Sequence, residues 1–105
     1  MISVAFLTPP EGGVLGFSME GHAEYGEAGE DIVCAAVSSA AYMAANTITE
    51  VLSSPAQAEV SDACFRFSLL SACDLAVTIL EGLKLHLSEL QKQYPAYLTI
   101  DITEV

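Results

Sequence analysis

Basic residues are scarce in this chain. Three lysines and arginines stand against fourteen aspartates and glutamates, for a net charge of −11. A field of that sign repels phosphate backbones and anionic lipid, so direct nucleic-acid or membrane binding is not expected, whereas a basic partner is. Tryptophan is absent, and the three cysteines are an odd number with no CxxC pair. That count argues against a disulfide framework and against structural zinc spacing, and fits reduced thiols in a cytosol. No cofactor or metal is expected. The opening run Met1-Ile2-Ser3-Val4-Ala5-Phe6-Leu7 lacks the basic start of a signal peptide. No apolar run is expected to approach the roughly 20 residues that span a bilayer. A cytoplasmic location follows as an expectation.

Apolar residues make up 52% of the 105 positions, enough for one domain over 1–105 with a modest core. Ile2 to Thr8 alternates, with Ile2, Val4 and Phe6 on one face. Pro9-Pro10-Glu11-Gly12-Gly13 is turn chemistry, and Val14 to Glu20 reads as a returning strand. Asp31 is a good N-cap for a helix from Ile32 to about Leu52, with Val33, Val37, Ala40, Ala44, Ile48 and Val51 as its buried stripe. Ala56 to Ser61 and Cys64 to Leu70 form a second hairpin around Asp62-Ala63. Ser71 with Asp74 resembles a capping box opening a helix to Tyr94, whose stripe is Leu75, Ile79, Leu83, Leu87 and Leu90. Tyr97 to Val105 alternates again. The order β-β-α-β-β-α-β predicts a two-layer α+β fold: a mainly antiparallel sheet with two helices packed on one face.

The chemistry concentrates between Gly21-His22-Ala23 and Ser38. His22 and Cys34 stand twelve positions apart, across a segment containing Gly26 and Gly29. On this reading Cys34 falls in the first turn of the helix, where free N–H groups and the macrodipole favour a thiolate. His22, at a strand end, could take a proton and return it. Asp31 caps the helix or orients His22, and Ser38 lies one turn beyond Cys34 on the same face. Gly21, Gly26 and Gly29 mark a candidate mobile flap over the site. Glu20, Glu24, Glu27, Glu30 and Asp31 crowd the segment; they oppose a bare thiolate and favour an imidazolium, demands that an ion pair meets.

Each residue also has an ordinary reading. A lone cysteine in an apolar helix is usually packing. Cys73 lies at another helix start with no histidine near it in sequence, so that position is not specific by itself. Cys64 opens a strand as a small hydrophobe, and His86 sits beside the apolar stripe of the last helix. A rival to catalysis is a non-catalytic acidic module that binds or chaperones a basic protein.

The motif Gly21-His22-Ala23, Gly26, Gly29, Asp31 and Val33-Cys34-Ala35-Ala36-Val37-Ser38 resembles the ribosomal-processing cysteine proteases of the Prp family, and the element order agrees over essentially the whole chain. The resemblance implies a small α+β homodimer. It implies an endopeptidase that removes the N-terminal extension of a basic large-subunit ribosomal protein, the twenty-seventh of that subunit. His22 and Cys34 match the catalytic pair and the glycine segment matches the substrate-binding flap.

Overall fold

The computed structural model describes residues 1–21, 28–61 and 64–105, with residues 28–31 as backbone. The strands are β1 (Ile2–Thr8), β2 (Gly16–Glu20), β3 (Ala56–Ser61), β4 (Cys64–Leu69) and β5 (Leu98–Glu104). The helices are α1 (Ala28–Asn46), continued by a π turn over Thr47–Val51, and α2 (Asp74–Gln93). The sheet order is β3-β4-β2-β1-β5. Its β1–β2, β2–β4 and β3–β4 pairs are antiparallel, while β5 runs parallel to β1.

Alternation in the strands decides which face is covered. Ile2, Val4 and Phe6 of β1, Phe17 and Met19 of β2, Phe65 and Phe67 of β4 and Leu98 of β5 are buried in one cluster with the apolar sides of both helices. Phe17 lies edge-on to Phe65 at 5.1 Å and stacked on Phe67 at 5.5 Å, filling the middle of the layer. The other sheet face carries Arg66, with Glu20 at 3.3 Å and Glu59 at 3.9 Å, all exposed. The two-layer α+β architecture with both helices on one face is as expected.

Details depart from the sequence reading in ways the packing explains. Helix α1 begins at Ala28, not after Asp31. Its buried positions are Val33, Val37, Ala41, Ala44, Ala45 and Ile48, while Val51 is 76% exposed. The π turn accounts for Val51: Leu52 N–H donates to the Thr47 carbonyl at 2.9 Å, an i→i+5 bond that shifts the phase of the last turn. In α2 the buried side chains are Ala76, Leu80, Leu83 and Leu87, while Leu75 is exposed. The residue capping α2 is Cys73, without a side-chain cap bond, so the Ser71–Asp74 box is not what starts this helix.

The expectation that no run could span a membrane also needs correction. Ile32–Val51 is 20 residues long with mean hydropathy 1.4, long and apolar enough by length and composition. Its apolarity has a use within the fold, since its buried stripe rests on the sheet and joins the core.

Candidate active site

The site is framed where β2 ends. Glu20, the last residue of β2, pairs with Ser3 on one side and Cys64 on the other. Gly21 follows with φ of +97°, a conformation that side chains rarely adopt. A β-carbon on Gly21 would collide with the carbonyl oxygen of Met1. Two independent constraints, conformation and space, therefore demand glycine immediately before His22. His22 itself and Gly26 lie outside the described residues.

The chain resumes in α1, and this changes the roles expected of three residues. Gly29 belongs to the first turn of α1 rather than to a loop. Asp31 is the fourth helical residue, so it does not stand at the N-cap position; its side chain lies outside the described residues. Cys34 is the seventh residue of α1 rather than a first-turn residue. The N–H groups left free at a helix start belong to the turn of residues 28–31, and dipole stabilisation falls off within that turn. Cys34 therefore lies beyond the turn in which free amides and the dipole favour a thiolate.

Rigidity is what α1 does supply. Cys34 is half-buried, unpaired and packed against the core, next to Val33 and one turn from Val37, both fully buried. A nucleophile on such a helix is held in one place by its neighbours rather than by a loop. Ser38, also half-buried, follows one turn later on the same ridge. The other thiols differ in setting. Cys73 precedes α2, and Cys64 starts β4 on the same sheet face as Arg66, away from the helices.

The i, i+4 ridge that starts with Cys34 and Ser38 continues to Tyr42, which the sequence reading did not single out. Its ring stacks on Phe65 of β4 at 4.8 Å. The signal was available as an aromatic two i, i+4 steps from the cysteine, but helical aromatics are common enough in cores to pass unnoticed. On the opposite side of α1, Ala36, Ala40, Met43 and Thr47 border an apolar groove of about 720 Å³, closed by Ile79 and His86 of α2. Helical spacing turns that groove away from Cys34.

Among known proteins, the family model described as "Cysteine protease Prp" matches residues 1–99. The chain belongs to this family. It is a cysteine protease. A Prp relative from Staphylococcus aureus, the ribosomal processing cysteine protease Prp, is 32% identical over 97 residues, covering 90% of this chain and 92% of the relative. A crystal structure of Prp from S. aureus with a substrate peptide superimposes with a TM-score of 0.91 at 27% identity, over 98% of this chain and all of that one. A second Prp structure from S. aureus, with a covalently linked product peptide, gives a TM-score of 0.87 at 28% identity and the same coverage.

Proposed function

We propose that this Prp-family protease is an endopeptidase in which Cys34 is the nucleophile and His22 its proton partner. We further propose that it removes an N-terminal extension from a basic ribosomal protein, the twenty-seventh of the large subunit, as a cytoplasmic homodimer. The observation that carries the reading is an unpaired, half-buried thiol fixed on α1 within a family match spanning nearly the whole chain. The S. aureus relative's covalently linked product peptide supports it, since a protein nucleophile produces such a linkage. The net charge of −11 supports a basic substrate.

In this mechanism the Cys34 thiolate attacks the scissile carbonyl carbon, forming a C–S bond and a tetrahedral oxyanion. Collapse breaks the C–N bond as the His22 imidazolium donates its proton to the leaving amine. His22, now neutral, takes a proton from water as that water attacks the thioester. The C–S bond then breaks, releasing the carboxylate product and restoring the thiolate–imidazolium pair.

The test is incubation of wild type and Cys34→Ala with the extended ribosomal protein, read by intact mass. A single N-terminal cut that the variant loses supports the reading. Intact substrate with both proteins overturns this substrate assignment.

A further inference from the structure

The ridge from Cys34 to Tyr42 meets an edge of the sheet. Among the described residues β3 is the outermost strand, and no described strand pairs with the side of its backbone away from β4. Val60 of β3 is the direct partner of Phe65, so the two side chains stand together on the helix side. Phe65 is buried, but Val60 is 58% exposed and Tyr42 43% exposed. Phe65 is thus the buried centre of a small apolar patch, with the Tyr42 ring stacked on it and Val60 paired beside it. Apolar side chains of this size are left in water at an energetic cost unless something covers them.

The apolar patch has a defined separation from the thiol. Tyr42 lies eight residues beyond Cys34, a rise of about 12 Å along the helix. An extended peptide advances about 3.3 Å per residue, so a chain held at Cys34 and following the ridge reaches Tyr42 in roughly four residues. On the side where no described strand pairs, the N–H and C=O groups of β3 offer such a chain strand-like pairing, while alternate side chains reach the apolar patch. The larger α1–α2 groove lacks this continuity, because α1 itself separates it from Cys34.

We propose that Tyr42 is a specificity-determining residue, receiving with Val60 and Phe65 an apolar side chain of an extended substrate about four residues from the cleaved bond. This rests on Cys34 being the nucleophile. The test uses full-length enzyme and a peptide spanning the cleavage site, in which each residue within six positions on either side of the bond is replaced by alanine in turn. With wild type, loss of the apolar residue three to five positions from the bond lowers kcat/KM about tenfold or more. With Tyr42→Ala that positional dependence disappears and the loss falls on KM; Tyr42→Phe restores it.

Val60→Ser, a change on an exposed edge, weakens the same dependence without removing the Phe65 stack. A small alkylating reagent that modifies Cys34 of Tyr42→Ala at the wild-type rate shows that the nucleophile is intact. An unchanged positional profile in Tyr42→Ala overturns the proposal. Cleavage that persists in Cys34→Ala, or is absent from wild type, removes instead the reading beneath it.

Discussion

Gly21 and Met1 meet so closely that the space for a side chain on Gly21 is occupied by the Met1 carbonyl oxygen. The contact joins the residue that follows β2 to the residue that precedes β1. Gly21→Ala must either relax a φ of +97° or push β1 away. The expected cost is about 1–3 kcal/mol from the backbone alone. At roughly 4–8 °C per kcal/mol for a domain of this size, a melting temperature lowered by more than about 5 °C is expected, together with reduced cleavage. A variant that melts with wild type would show that the strand end relaxes freely.

Selective alkylation separates activation from access at the three thiols. Cys34, Cys64 and Cys73 are all unpaired and all half-buried, so exposure by itself predicts similar rates. A catalytic thiol paired with a histidine carries more thiolate at neutral pH. Cys34 is therefore expected to react with iodoacetamide about tenfold faster than either of the others, as mapped by peptide mass spectrometry. Equal rates would count against Cys34 as the activated nucleophile.

The two histidines provide a matched comparison. His86 is exposed on α2, bordering the groove on the side of α1 away from Cys34. His22→Ala is expected to lower kcat by about 10²–10⁴-fold, the usual range for loss of a general acid–base. His86→Ala should stay within about twofold. A large loss on replacing His86 would place the chemistry on the wrong side of α1.

Much of this fold could be read from residue patterns, and the failures have identifiable causes. The β3–β4 hairpin was found at its residues because alternation and the turn at Asp62-Ala63 agree; that turn itself lies outside the described residues. The sequence pattern starts α1 four residues late because Gly29 reads as loop and Asp31 as a cap. A single glycine costs a helix only about 1 kcal/mol, which tertiary packing can override. The parallel pairing of β5 with β1 joins strands distant in sequence, which local patterns do not report. At the site, the pattern puts Cys34 on the right helix but in the wrong turn, and it does not report Tyr42, whose partner Phe65 lies on β4.

Helix α2 turns one of those failures into a stability measurement. Leucines occur on several of its faces, so a 3.6-residue count accommodates more than one stripe. The sequence stripe includes Leu75, which is 63% exposed, and omits Leu80, which is fully buried. Leu80→Ala should cost about 2–5 kcal/mol by removing core contacts and leaving a cavity. Leu75→Ala should change stability by less than about 0.5 kcal/mol. Chemical denaturation of the two variants decides between the stripes, and a reversed order would mean that α2 is rotated about its axis.

Charge makes a separate prediction about substrate capture. With −11 distributed over 105 residues, a basic substrate is drawn toward the protein before any specific contact forms. Salt shortens the reach of that attraction, from a Debye length of about 30 Å at 0.01 M to about 8 Å at 0.15 M. The patch of Tyr42, Val60 and Phe65 is apolar, and its contribution should change little over the same range. Raising ionic strength is therefore expected to lower kcat/KM for a substrate carrying its basic body, with kcat at saturation nearly constant. A short neutral peptide containing only the cleavage segment should show a much flatter response. If both substrates fall equally with salt, charge acts within the bound complex rather than on encounter.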